Sequence, residues 1–379
     1  MNPRSLFLTG VTGYVGAFLA RELLESTGAV LHCLVRADDE AQGRARLREA
    51  MQRYRIWKDG YDLRIAPVVG DLRRPLLGLS DAEFSSLAKE VDGIYHCGAQ
   101  VNFVFPYAAL QSANVAGTQE VIRLSVRGGM TPLHHISSVD ALITSNMTSV
   151  DEDEPLPERP MPHGYVASKW AAEKVVSAVR AKGLPVSIYR PWLVGAHTET
   201  GVCHTTDYVL RVLRGCLEVG VVPDYDEEFN ICPVDFFARA LVRISLEPRW
   251  LGKSFHLANP ETVTLPAIYS WLRSFGYRIE VAPYEEWRER MIQGVALTSQ
   301  AYSVLPLIPK HPVAPEARHP RIDSSRTQQA LAGTGITCPP LDAALAHRQL
   351  AYLVEIGFLP VPVAGRDREA ARAAAVEAG

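Results

Sequence analysis

Residues 5–16 read Ser5-Leu6-Phe7-Leu8-Thr9-Gly10-Val11-Thr12-Gly13-Tyr14-Val15-Gly16, and the order within that stretch decides the fold. Its first half is a short apolar run of the kind that fills a buried parallel strand. Its second half places glycines at 10, 13 and 16, and helix-period apolar residues follow from Ala17 to Leu24. Strand, glycine turn and helix in that order form a dinucleotide-binding turn. Gly10 permits the tight turn, Gly13 lets the backbone approach a pyrophosphate, and Gly16 lets the helix pack on the strand. The helix N-terminus adds unpaired N–H groups and the positive end of its dipole. Thr12, Tyr14 and Val15 complete the turn residues expected to meet the cofactor.

Outward from this turn, apolar strands alternate with amphipathic helices. Strands are read at Val30 to Val35, Ile65 to Val69, Gly93 to His96, Leu133 to Ile136 and Val186 to Arg190. Helices are read through about Tyr54, from about Leu110 to Arg127, and from Tyr165 to Lys182. That alternation predicts an α/β protein built on a Rossmann-type doubly wound parallel sheet. After Gly195 the alternation fails. An amphipathic helix over 207–220, a returning strand at Ser254 to Leu257 and helical signals from Leu265 predict a smaller, mainly helical C-terminal substrate domain. The expected boundaries are 1–200 plus about 230–262 for the cofactor domain, and about 201–229 with 263–365 for the helical one. A flexible tail is expected over 366–379, which carries Arg, Glu and Ala with little apolar face.

The second strand ends in Val35-Arg36, where an NAD enzyme normally places an acid for the ribose 2′-hydroxyl. A guanidinium there suits a 2′-phosphate, and Arg46 adds charge from the next helix, so NADPH is the expected cofactor. Asp38 and Asp39 argue the other way, since either carboxylate could turn toward a ribose. Asp71 and Leu72 close the third strand, where the carboxylate can accept from the adenine amino group. Gly98, Ala99 and Gln100 follow the fourth strand and let the chain pass close beneath the cofactor. Asn114 sits early in the following helix, as a backbone brace or a functional residue.

Tyr165-Val166-Ala167-Ser168-Lys169 opens a helix, so the phenol and the ammonium, four residues apart, share one face. A phenol titrates near pH ~10. A neighbouring ammonium and an oxidised nicotinamide would stabilise its anion, while the lysine also bonds the nicotinamide ribose. The third member should be a hydroxyl at a strand end. Ser138 is the expected oxyanion donor beside Tyr165, and Ser137 is the competitor, also placed in the cofactor site. Pro191 and Trp192, just past the strand ending at Arg190, join the expected cofactor contacts.

Composition removes several other classes. Apolar residues make up 47% and charged residues 21%, as in an ordinary globular protein. A net charge of −3 gives no global basic field for nucleic acid or anionic lipid. Six cysteines (33, 97, 203, 216, 232 and 338) lie scattered without C-x-x-C spacing, which favours reduced thiols. No apolar run has the length of a membrane span, and a strand starts within five residues of Met1, so a cytoplasmic protein is expected. His134, His135 and His204 lack ligand spacing, so no metal is expected. A monomer is expected.

Taken together, these residues resemble the thioester reductase family: the terminal reductase domains of nonribosomal peptide and polyketide synthetases and the reductase module of carboxylic acid reductases, within the extended short-chain dehydrogenases. The likeness runs through Leu8-Thr9-Gly10-Val11-Thr12-Gly13, Cys33-Leu34-Val35-Arg36-Ala37, Gly70-Asp71-Leu72 and Tyr95-His96-Cys97-Gly98-Ala99-Gln100-Val101-Asn102. It continues in Asn114-Val115-Ala116-Gly117-Thr118, Tyr165-Val166-Ala167-Ser168-Lys169, Pro233-Val234-Asp235 and Gly357-Phe358-Leu359. The resemblance implies a thioester held on the phosphopantetheine arm of a carrier protein, reduced by NADPH to an aldehyde, and in some relatives onward to an alcohol. Relatives usually carry Thr where this chain has Ser138; serine keeps the hydroxyl but loses the methyl that fixes its rotamer. Carriers are generally acidic, so Arg211 and Arg214, three apart on one helix face, are a candidate docking patch set against the plainer reading of a solvated helix face. The alternatives are a soluble acyl-CoA or aldehyde reductase and an NADP-sensing protein without catalysis.

Overall fold

The computed structural model describes residues 2–144, 147–159, 163–311 and 320–362. Seven parallel strands form the central sheet: β1 Ser5–Thr9, β2 Val30–Val35, β3 Ile65–Val69, β4 Gly93–His96, β5 Leu133–Ile136, β6 Val186–Arg190 and β7 Ser254–His256. Their order is β7-β6-β5-β4-β1-β2-β3. The chain therefore reverses direction across the sheet between β1 and β4, and an open α/β sheet takes its ligand outside the strand ends at such a switch.

The strands are buried because both faces are covered. On one face Phe7, Ile94, Leu133, Val186 and Ile188 pack under α3 Asp81–Glu90, α5 Gly117–Arg127 and α6 Gly164–Ala181, which contribute Phe84, Leu87, Val121 and Val176. On the other lie α1 Tyr14–Ser26 and α8 Val234–Ser245, packed against each other. Tyr95 of β4 reaches α8 through a 2.7 Å hydrogen bond to Ser245. The helix before α5 is not uniform: α4 Tyr107–Gln111 passes into a π turn, Ser112–Ala116, before α5 begins. Such turns gather at functional sites because they re-aim side chains.

The chain divides into two compact units. The first comprises Met1–Val194, Cys232–Pro260 and His319–Pro339; the second comprises Gly195–Ile231, Glu261–Arg318 and Pro340–Gly379. The sequence grouping put 319–339 with the helical domain, whereas the structure groups it with the sheet. Arg321–Ile322 pairs with Ser149–Val150. The buried Glu152 carboxylate accepts from the backbone N–H groups of His256, Arg326 and Thr327 (2.9, 2.6 and 3.1 Å) and from the Thr327 hydroxyl (2.6 Å). Gathering four donors offsets the cost of burying that carboxylate. Within the second unit, α7 Tyr208–Val219 is capped by Asp207 and ends at Gly220, whose φ of +71° suits glycine at a helix terminus. The tail expected to be flexible, 366–379, lies outside the described residues.

Candidate active site

The glycine turn is a cradle that no side chain can enter. A Cβ on Gly16 would lie 2.1 Å from the Gly10 carbonyl oxygen, and one on Gly10 would lie 2.8 Å from the Gly98 nitrogen. Gly10 also has φ +83°. The turns after β1 and β4 therefore touch at the switch point, with Thr12 and Gly13 exposed above them and Gly13 opening α1. Bare backbone facing outward at a helix N-terminus fits the phosphates of a dinucleotide.

Below this cradle runs a chain of buried hydrogen bonds whose direction is fixed. Thr118 donates its hydroxyl proton to the Asn114 carbonyl (2.6 Å), so it accepts from His96 Nε2–H (2.9 Å). His96 Nδ1 is then the acceptor for the Thr9 hydroxyl (2.8 Å), and Thr9 in turn accepts the Gly98 N–H (2.9 Å). Burial drives the His96 pKa down to about 3, so the ring stays neutral, as this chain requires. The residues that the sequence reading left without a role, Thr9, His96 and Thr118, thus tie β1, β4 and the π turn together.

Asn114 is a backbone brace. Its side chain accepts from Gln100 N–H (2.7 Å), donates to the Gln100 carbonyl (3.1 Å) and donates to the Ser168 hydroxyl (2.8 Å). Ser168 passes its own proton to the Tyr165 carbonyl (2.7 Å). One amide therefore locks the loop after β4 onto the first turn of α6, where the tyrosine stands. Leu72 closes against the same region: a Cβ on Gly98 would meet Leu72 Cδ1 at 2.7 Å, and one on Gly117 would meet the Leu72 carbonyl oxygen at 2.9 Å.

Tyr165 and Lys169 project from α6 over the ends of β4 and β5. Lys169 is buried and donates to the Ile136 carbonyl at the end of β5 (2.7 Å). Its desolvation lowers the ammonium pKa to about 8, against the opposing pull of Cys97 and Glu173. Tyr165 packs against Phe103 with the rings tilted by 60° and their centroids 5.2 Å apart. Desolvation raises its pKa, and the Asp140 carboxylate and Cys97 push in the same direction. These three influences favour the protonated phenol, whereas the pull of an oxidised nicotinamide on the phenolate expected from sequence belongs to the cofactor-bound site.

The two serines differ. Ser138 Oγ donates to Asp140 Oδ2 (3.1 Å) and accepts the Asp140 N–H (3.2 Å), capping a short 3₁₀ turn. Ser137 Oγ is buried with no hydrogen-bond partner among the described residues. The Pro191 carbonyl accepts Val139 N–H (2.9 Å), and Trp192 packs beside Val139, Leu142 and Val150. Both residues flank the serine loop.

At the other end of the crevice, Arg36, Arg46 and Arg73 converge with Asp38 and Asp71 on one open cleft. Arg46 donates to the Arg36 carbonyl. The two acids that argued for NADH are engaged locally. Asp39 caps α2 Glu40–Arg53 by accepting Gln42 N–H (2.8 Å), and Asp38 accepts from the Gln42 side chain (3.0 Å). Asp71 makes a two-pronged pair with Arg73 (3.1 and 2.6 Å), which holds its pKa down. Arg73 was missed in the sequence, although it lies two residues past Asp71.

The two arginines read as a candidate docking patch are tied within the second unit. Arg211 donates to Ser303 Oγ (3.0 Å), while Arg214 pairs with Glu218 (2.7 Å) and lies over the Phe358 ring (5.4 Å). No group of three or more potential metal ligands occurs among the described residues, and no helix there is long and apolar enough to cross a membrane.

A model of the NAD-binding family described as male sterility protein matches residues 8–241. The solved terminal R domain from the myxalamid PKS-NRPS biosynthetic pathway shares 40% identity and a TM-score of 0.91, covering 96% of this chain and 93% of that one. The chain belongs to this family of terminal reductase domains. The reductase (R) domain of a nonribosomal peptide synthetase from Mycobacterium tuberculosis superposes with a TM-score of 0.81 at 26% identity, over 94% of this chain and 93% of that one. A linear gramicidin synthase of Brevibacillus parabrevis is 36% identical over 94% of this chain, yet the chain spans only 7% of that relative's length. The fold class and the family read from sequence are thereby borne out: this is an extended short-chain dehydrogenase-type oxidoreductase with a nicotinamide dinucleotide site.

Proposed function

We propose that the chain uses NADPH to release an acyl or peptidyl group from the phosphopantetheine thiol of a carrier protein as an aldehyde, or onward as the alcohol. The observation that carries this reading is the placement of Tyr165 and Lys169 on α6 over the strand ends beside the glycine cradle, in a chain that matches terminal R domains along nearly its whole length. Preference for NADPH is supported by three guanidiniums at the ribose end and by the local engagement of Asp38 and Asp39. Gly10, Thr12, Gly13, Tyr14, Val15 and Gly16 would hold the pyrophosphate, Arg36, Arg46 and Arg73 the 2′-phosphate, and Asp71 with Leu72 the adenine. Gly98, Ala99, Gln100, Ser137, Pro191 and Trp192 would line the nicotinamide half.

When bound, the cofactor supplies a hydride to the thioester carbonyl carbon. A protonated Tyr165 suits this direction of chemistry, because the carbonyl oxygen gains negative charge and needs a donor. Ser138 supplies a second donor when its hydroxyl turns from Asp140 to the substrate oxygen. Lys169, fixed by one N–H to Ile136, has two further protons to direct toward a ribose and the phenol. As the oxyanion re-forms its carbonyl, the carbon–sulfur bond breaks and the carrier thiolate takes a proton from solvent.

The test compares NADPH oxidation on one acyl group presented by a carrier protein and by coenzyme A. Efficient turnover of the carrier-bound form, with the coenzyme A ester well behind, is expected. Equal turnover would transfer the reading to a diffusible thioester reductase, and no oxidation with either would sink the hydride reading altogether.

A further inference from the structure

Tyr165, Lys169 and Glu173 are four residues apart in succession and form one stripe of α6. The first two belong to the proposed chemistry; Glu173, fully buried, does not reach it. One of its oxygens accepts from Arg190 Nε and Nη2 (3.0 and 2.7 Å), and the other is buried with no partner among the described residues. Arg190 is the last residue of β6 and is itself 2% exposed. Its remaining nitrogen reaches the Glu152 carbonyl (3.2 Å) and His256 Nε2 (3.3 Å).

Two cations and one anion thus share this buried layer beneath the catalytic helix. The titratable groups coupled to Lys169 are Cys97 after β4, His96 on β4, His135 on β5 and Glu173 on α6 itself, while Arg190 on β6 acts on His135 and is paired with Glu173. Burial keeps Cys97 a neutral thiol, with its pKa raised to about 12, and keeps His96 and His135 neutral imidazoles. Arg180, further along α6, adds another cation facing Glu173 and Arg190. Glu173, ion-paired with Arg190 at 2.7 Å, is then the carboxylate of this set, and it favours the charged form of Lys169.

We propose that Glu173 and Arg190 form a buried charge-balancing unit that keeps Lys169 protonated during turnover, with Glu173 as a positioning residue rather than a catalytic one. The inference rests on the reading that Lys169 works as an ammonium. Removing Glu173 takes away the carboxylate that favours the charged lysine and leaves Arg190 without its counter-charge in the same buried layer, so the lysine proton is lost more readily. Removing Arg190 takes away the cation that neutralises Glu173, so the carboxylate favours the charged lysine more strongly and holds that proton more firmly. The two substitutions therefore act in opposite directions, whereas loss of a merely structural pair would damage both variants alike.

The experiment is the pH profile of kcat/KM for NADPH oxidation with a carrier-bound thioester, on the full chain. In the parent protein the rate should fall as pH rises through the range where Lys169 deprotonates. Glu173→Gln should move that alkaline limb down by about one pH unit, since a nearby opposite charge shifts a pKa by about 1–3 units. Arg190→Met should move it up, and the double variant should return it toward the parent position. Limbs that coincide across all four proteins, or single variants that shift in the same direction, overturn the proposal. Should Glu173→Gln fail to fold, Arg190→Met decides by the sign of its shift, and Arg190→Lys, which keeps the charge, must leave the limb in place. A parent protein that oxidises no NADPH would instead count against the proposed function, so the two failures are distinguishable.

Discussion

The two ends of the cofactor crevice are built on opposite principles. At the end proposed to hold the cofactor ribose, Arg36, Arg46 and Arg73 are exposed, and most of the observed pairs are short in sequence: Asp71 with Arg73, Asp38 with Gln42, Arg46 with the Arg36 carbonyl. At the end proposed to hold the nicotinamide, Asn114, His96, Lys169 and Glu173 are buried, and their partners lie on distant elements. An exposed charge in water contributes through its ligand and little to the fold. A buried polar group must be satisfied in place, so it contributes to stability and geometry together. One end of the site is consequently free to change its ligand, and the other is locked to the scaffold.

Substitutions sharpen this contrast, beginning with the catalytic end. Tyr165→Phe removes the proposed oxyanion donor and should lower kcat by about 10²–10⁴-fold. Cofactor affinity, read by fluorescence titration, should be nearly unchanged; an equal loss of binding would place the ring in the scaffold instead. At the ribose end, Arg36→Glu replaces a charge-assisted contact with repulsion. NADPH affinity should fall by about 10–100-fold, as a charged hydrogen bond of ~1.5–3 kcal/mol implies, with NADH affinity and melting temperature steady. An unchanged NADPH affinity would remove Arg36 from the site.

Asn114→Ala tests the locked end without touching a reacting group. Loss of the bridge between Gln100 and Ser168 should cost about 1–3 kcal/mol in denaturant unfolding, because the Gln100 backbone is left unpaired. Catalysis should weaken as well, since the tyrosine's helix loses its tether. A stable variant with depressed turnover would mean that the amide acts on the ligand directly. The smallest effect is expected from Arg211→Glu/Arg214→Glu. Each side chain has partners within its own unit, and pairs of this kind contribute about 0–1 kcal/mol. Carrier-bound turnover should persist, and its collapse would restore these arginines as a docking surface.

The same contrast explains what could be read from the chain before its fold was known. The glycine turn, Tyr165-Lys169 and Arg36 are local patterns whose spacing carries their meaning, and β1, β2, β3, β4, β5 and β6 fall where apolar runs place them. Helix α3 was passed over despite a local sign, the Ser80–Glu83 capping box. The chain Thr9–His96–Thr118–Asn114 and the Glu173–Arg190 pair had no local sign at all, because each is completed by residues far apart in sequence and brought together by strand register. Asn114 is a brace by virtue of three hydrogen bonds, two to Gln100 and one to Ser168, and the last joins residues 54 apart. The preference of residues 320–339 for the sheet follows from Glu152, a single acid whose buried environment no spacing reveals.

The central claim is that hydride leaves the cofactor for a thioester carbonyl under a protonated Tyr165. It is tested most directly with NADPH deuterated at the transferring position and an acyl chain loaded on a carrier, with mass spectrometry of the released product. The account predicts an aldehyde carrying one deuterium on its carbonyl carbon, or an alcohol carrying deuterium on that same carbon, and a near-complete loss of product with Tyr165→Phe. Release of a carboxylic acid or a cyclised chain containing no deuterium would contradict it.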